Sequence, residues 1–116
     1  MAFTLVWTEK AQDTYDQLRA KAISSLDARL KKKKIKASPA EGLFKQVKKC
    51  LDLLKEDPRH PGLSTHEFRS KNHPHKQEGK VFEAYIQQKT PGAYRLFWCY
   101  GPEKDQITIV AITLHP

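Results

Sequence analysis

The chain has 116 residues, 39% hydrophobic and 29% charged, proportions that fit one soluble domain spanning 1–116 and exclude a two-domain protein. No apolar run of about 18 residues occurs, which excludes a transmembrane helix, and residues 1–7 have neither a basic leader nor a long apolar stretch, so a cytoplasmic location is expected. Lys and Arg number 21 against 13 Asp and Glu, a net charge of +8.

The whole excess lies in residues 21–49, where Lys21, Arg29, Lys31, Lys32, Lys33, Lys34, Lys36, Lys45, Lys48 and Lys49 face only Asp27 and Glu41. A single-sign patch steers a protein toward a polyanion or an acidic partner, and equally suits a solvated surface near a helix end. Lys31, Lys32, Lys33, Lys34, Lys45, Lys48 and Lys49, with Arg69, are the candidate residues for binding a polyanion such as RNA. Cys50 and Cys99 lie far apart in apolar surroundings, show neither a CxxC nor a zinc-ligand spacing, and read as buried free thiols.

In chain order, residues 3–7 are a β-branched and aromatic run, a predicted strand, and Thr8 follows as an N-cap. From Glu9 to about Lys34, Ala11, Tyr15, Leu18, Ala22, Leu26 and Leu30 recur every three or four positions, predicting a helix with one buried face. Ser38-Pro39-Ala40-Glu41 then combines an N-cap serine, a proline at the first helical position and a glutamate three residues after the cap. The second helix starts there, buries Ala40, Leu43, Phe44, Val47, Leu51 and Leu54, and stops at Asp57-Pro58. Two such helices on a short link form an αα-hairpin.

Past Pro61-Gly62 the period changes from helical to alternating. Residues 63–69 predict a short strand and residues 70–79 a polar loop. Residues 81–87, 93–100 and 106–114 predict three longer strands whose separators are hairpin-sized, giving an antiparallel meander packed on the helices. The fold class is α+β. With Gln87 opposite Ala93, Tyr85 faces Arg95 and Glu83 faces Phe97; with Tyr100 opposite Gln106, Arg95 faces Ala111 and His115 shares its side. One sheet face then carries Phe82, Ala84, Ile86, Tyr94, Leu96, Trp98, Tyr100, Val110, Ile112 and Leu114, suited to the helices. The other presents Glu83, Tyr85, Arg95 and His115 at one open end.

The order strand, two helices, antiparallel sheet, with the segments Ala93-Tyr94-Arg95-Leu96-Phe97-Trp98 and Ile109-Val110-Ala111-Ile112-Thr113-Leu114-His115-Pro116, resembles the RelE/ParE toxin superfamily and is most similar to its RelE/YoeB-like branch. The resemblance implies a bacterial toxin paired with an antitoxin protein. RelE-like members cleave messenger RNA on the ribosome and ParE-like members poison DNA gyrase, so a binding-only protein stands as the alternative. By position, the family's phosphate-holding arginine falls on Arg95, the near-terminal histidine on His115 and the terminal tyrosine on Pro116. The lysines of RelE itself fall on Glu83 and Tyr85. The YoeB-like glutamate falls on His66 if Phe68 is the hydrophobic anchor, whereas alternation puts Glu67 and Arg69 on the open face.

Cleavage of RNA through its own 2′-hydroxyl needs a base, a fixed positive charge on the phosphate and an acid for the leaving oxygen. Arg95 supplies the charge through two parallel N–H donors, Glu83 or Glu67 the base, His115 the acid, and Tyr85 a stacking surface. The competing reading pairs Arg95 with Glu83 as a cross-strand salt bridge and leaves His115 a terminal polar residue. His60, His66, His73 and His75 lack matching carboxylates or thiolates and read as solvated, so no metal and no cofactor is expected.

Overall fold

Thr8 does at the start of the first helix what its sequence position promises, and also more. Its backbone is extended and its Oγ1 accepts from the Ala11 amide at 3.1 Å, capping α1 (Glu9–Lys31). The same hydroxyl donates to Val110 O at 2.8 Å, and the Thr8 amide donates to Ile109 O at 3.1 Å. The helix start is therefore tied to the last strand. In the computed structural model the described residues are 2–33, 36–69, 74, 79–87 and 93–114.

The sheet comprises β1 (Thr4–Trp7), β2 (His66–Glu67), β3 (Phe82–Tyr85), β4 (Tyr94–Tyr100) and β5 (Gln106–Leu114), in the order β1-β5-β4-β3-β2. β1 runs parallel to β5, from Thr4 opposite Gln106 to Trp7 opposite Ile109, and every other pairing is antiparallel. With α1 and α2 (Pro39–Glu56) this is an α+β fold. No helix among the described residues is long and apolar enough to cross a membrane.

The capping box of α2 forms as its sequence dictates: Ser38 Oγ accepts from the Glu41 amide at 3.3 Å, and Glu41 Oε2 accepts from the Ser38 amide at 2.7 Å. Arg29 of α1 grips the same carboxylate through Nε and Nη2 at 2.9 to 3.1 Å, welding the two helices at this end. These bonds, Arg29 first and the Ser38 amide second, hold the Glu41 carboxyl down at about 2. α1 ends three residues earlier than its sequence period suggests, Lys33 having turned into the left-handed region at φ 55°. In its last turns Leu26 and Leu30, expected on the buried face, are 36% and 60% exposed.

The helices pack on one sheet face. Ala11 and Leu18 of α1 and Val47, Cys50, Leu51 and Leu54 of α2 meet Ala84, Leu96, Trp98, Ile107, Ile109 and Ile112. The β3–β4 register matches the sequence expectation, with Tyr85 opposite Arg95 and Glu83 opposite Phe97. The β4–β5 register does not: Arg95 lies opposite Thr113 and Tyr100 opposite Ile107. A bulge between Phe97 and Trp98 takes up one residue of β5. Ile107 and Ile109 thus enter the helix-side core, while Val110 joins the other face. Tyr100 and Leu114, expected on the packed face, are 42% and 52% exposed at the sheet's ends.

That other face is not open. Val81, Phe97, Cys99 and Ala111 form a second buried cluster, with Phe68 lying over Phe97 at 4.8 Å between ring centroids. Phe68 comes from a segment expected to be a strand over residues 63–69. Only His66 and Glu67 form a strand, followed by one further backbone bond from the Phe68 amide to Val81 O at 2.8 Å; before them residues 61–63 form a 3₁₀ turn and Ser64 is left-handed at φ 49°.

Candidate active site on the helix-free sheet face

β2 supplies a histidine to the helix-free face by register. His66 sits opposite Glu83, and its Nε2 lies 2.8 Å from Glu83 Oε1. Glu83 is 1% exposed, so its carboxylate needs a polar partner at hand, whereas the His66 side chain is about half exposed. With its proton on Nε2 toward Glu83, the neutral ring carries a lone pair at Nδ1, which faces Ser64 O at 3.3 Å as acceptor against acceptor and is open to a hydroxyl donor.

The cluster continues along β3 into β4. The His66 ring meets Tyr85 edge-on at 5.7 Å, and the Arg95 guanidinium carbon lies 3.8 Å above the Tyr85 ring centroid. Arg95 Nη1 donates to Gln87 O at 2.6 Å and to Tyr94 O at 3.2 Å. Gln87 is itself clamped, its side-chain oxygen accepting from the Tyr94 amide at 3.1 Å. His66, Glu83, Tyr85 and Arg95 therefore make one contiguous row across three strands.

Two features depart from the sequence reading. Arg95 is on the expected face but only 7% exposed, and Glu83 is buried as well, since the apolar neighbours Phe97, Val81 and Phe68 fill a face that alternation alone leaves open. Arg95 also has no carboxylate partner among the described residues: Glu83 meets His66, and Arg95 turns to main-chain carbonyls and the Tyr85 ring.

Glu67 and Arg69 do not join the row. Glu67 lies opposite Phe82, on the helix side by alternation, with Arg69 Nε at 3.5 Å and Lys80 Nζ at 4.0 Å. Arg69 is largely exposed. The expected alternation is one residue out of phase here, and the His66 placement that comes with a Phe68 anchor is the one the structure shows. His115, Pro116, His73, His75 and Lys34 lie outside the described residues.

The lysine candidates belong to the helical layer. Lys31, Lys32 and Lys33 are exposed at the end of α1, and Lys45, Lys48 and Lys49 along α2. Lys49 and Gln46 share a cleft of about 180 Å³ with Leu63 and Tyr85, so this part of the patch reaches the β3 edge of the row. Both cysteines are buried and free. Burial pushes the Cys50 thiol up to about 12, and the Cys99 thiol to about 11 against a hydrogen bond with Thr108, which disqualifies both as nucleophiles near neutrality.

No protein-family model matches the sequence, and no curated protein matches it. Solved structures match over nearly the full length. A YoeB/ParE toxin from Agrobacterium tumefaciens has a TM-score of 0.62 at 11% identity, covering 97% of this chain and 99% of that one. The YoeB dimer from Staphylococcus aureus has 0.61 at 11% identity, with 100% of each chain covered. An archaeal RelE-RelB complex from Pyrococcus horikoshii gives 0.56 at 9% identity, covering 98% and 96%. The chain has the RelE/ParE toxin fold.

Proposed function

We propose that this chain is the toxin of a toxin–antitoxin pair and cleaves messenger RNA on the ribosome at the His66–Glu83–Tyr85–Arg95 row. The observation that carries the reading is the 2.8 Å His66–Glu83 pair set beside the Arg95–Tyr85 stack on the helix-free face. His66 Nδ1 leaves Ser64 O and takes the proton of the 2′-hydroxyl, while Glu83 holds the ring by Nε2. The oxygen so activated attacks the adjacent phosphorus, forming a 2′,3′-cyclic phosphate and releasing the 5′-oxygen, to which the family resemblance assigns the proton of His115. Arg95, braced by Tyr85 and two carbonyls, is the fixed positive charge that favours the extra negative charge of the transition state. The exposed lysines of the helical layer hold the ribosomal RNA backbone.

The partner in this reading is an acidic antitoxin segment drawn to the basic chain; a RelE-RelB complex among the similar structures supports it. Burial of Arg95 favours a second reading, a binding-only toxin of the ParE kind that blocks an enzyme such as gyrase. Primer extension on a reporter message after induced expression in a bacterium separates the two. Defined 5′ ends that vanish in His66→Ala, with that variant still folded, are expected. Growth arrest without cleavage, or full cleavage by His66→Ala, refutes the catalytic assignment.

A further inference from the structure

We propose a second nucleotide site, resting on the ribonuclease reading above: a cleft on the helix side of the β3–β4 edge that takes the base flanking the cleaved linkage. The cleft encloses about 440 Å³ between residues 58–65 and an aromatic tier of Phe82, Trp98 and Tyr100, a size within the range of small-ligand sites. Phe82 and Trp98 stack at 4.8 Å, and Tyr100 stands edge-on to them at 6.0 and 5.0 Å. Tyr100, with Phe3 also at 6.2 Å, is still 42% exposed at the mouth of the cleft.

Three further observations select a nucleobase over a purely apolar guest. Trp98 Nε1 and Thr65 Oγ1, both on side chains that line the cleft, are buried without a hydrogen-bond partner among the described residues. Buried polar atoms of this kind call for an outside donor or acceptor, which the edge of a base provides and a hydrocarbon does not. Arg59 lies exposed in the lining, no Asp or Glu is among the described lining residues, and His60 accepts the Gly62 amide at Nδ1, which turns its Nε2 into a donor. A cationic rim over stacked rings matches a phosphate attached to a flat heterocycle.

The position completes the case. Thr65 precedes His66 and Phe82 precedes Glu83, so in the antiparallel β2–β3 pair the two cleft residues flank the His66–Glu83 pair on its two sides, and β2, only two residues long, is the edge strand. A single strand of RNA bent over this edge places one phosphodiester at His66 and its neighbour's base against Tyr100.

The test titrates the full-length protein with the four ribonucleoside 5′-monophosphates, following the Trp98 indole N–H by NMR, with inorganic phosphate and indole as control probes. A saturable shift with at least one nucleotide is expected, weakened about tenfold by Tyr100→Ala, the loss of one base–aromatic stack. Thr65→Val should alter the ranking of the four bases, and Arg59→Gln should weaken nucleotides without affecting the parent nucleosides. The nucleotide titration reads the cleft and primer extension reads the catalytic row, so the two proposals fail or stand separately. No saturable shift, unchanged binding in Tyr100→Ala, or tighter binding of indole than of every nucleotide overturns the proposal.

Discussion

Replacing Arg95 by alanine should unfold the protein more readily, not merely silence it. Three interactions go together: a charged hydrogen bond of 2.6 Å to Gln87 O, a weaker one of 3.2 Å to Tyr94 O, and the 3.8 Å stack on Tyr85. A hydrogen bond to a charged group contributes about 1.5–3 kcal/mol, and a desolvated cation–π contact about 2 kcal/mol. Desolvating the guanidinium at 7% exposure offsets part of this, leaving a net loss of about 3 kcal/mol, a sizeable part of the about 5–15 kcal/mol that holds a domain together. The melting temperature should fall by roughly 10 °C. Urea titration followed by circular dichroism measures the loss directly, and a cycle with Tyr85→Ala should return a coupling of about 1–2 kcal/mol. Arg95→Lys, which keeps the charge but not the planar fork, should fall between. Arg95→Ala within about 0.5 kcal/mol of the unsubstituted protein, the ordinary range for an exposed position, would refute the buried, braced arginine described here.

Phe97, fully buried against Phe68, should cost about 4 kcal/mol on truncation to alanine, measured by the same titration; a loss near zero would mean that the helix-free face is not a core. Glu41 sets an acid limb. Its carboxyl is lowered from 4.5 to about 2, so its stabilisation is complete above pH 4.5 and is lost as pH falls through about 2. Glu41→Gln should flatten the stability profile across that window, and an unchanged profile would deny the Arg29–Glu41–Ser38 network its role. Neutralising Lys31, Lys32, Lys33 and Lys34 together should reduce the slope of RNA affinity against salt by up to about 0.7 per lost phosphate contact. An unaltered slope in a filter-binding series would make the patch a solubility feature.

Local chemistry made most of the fold legible. Thr8, Ser38 and Glu41 mark helix starts by side-chain hydrogen bonds made within a few residues, and Pro39 by its fixed φ at the first helical position; the bonds form where their spacing places them. The parallel pairing of β1 with β5 joins residues about a hundred positions apart, from Thr4 and Gln106 to Trp7 and Ile109, and nothing local encodes it. Register is a nonlocal property too, yet errors in it are unequal. A two-residue shift between β4 and β5 leaves every side chain on its face, which is why Arg95 lies where alternation put it. The one-residue bulge inverts the pairing on its far side, and so Ile107 and Ile109 exchange faces with Val110.

The site was harder to read because its polar residues were weighed without their neighbours. Glu83, Tyr85 and Arg95 look like an open polar edge, but Val81, Phe97, Cys99 and Ala111 occupy the same face of the same strands and, with Phe68, are buried there. β4 is thereby covered on both sides, and a carboxylate and a guanidinium end up at the margin of a dry layer. Water there cannot relieve either charge, so each is held by fixed partners, His66 for one and two carbonyls with an aromatic ring for the other. Charges held in this way need little reorganisation when a phosphate arrives, and the low dielectric strengthens their action on it. In the ribonuclease reading proposed above, the apolar residues around the row are thus part of its chemistry. Opening that layer, by Phe68→Ala at its rim, should weaken cleavage even with His66, Glu83, Tyr85 and Arg95 intact. Cleavage at the full rate by a folded Phe68→Ala protein would show that the dry layer stabilises the sheet and contributes nothing to the reaction.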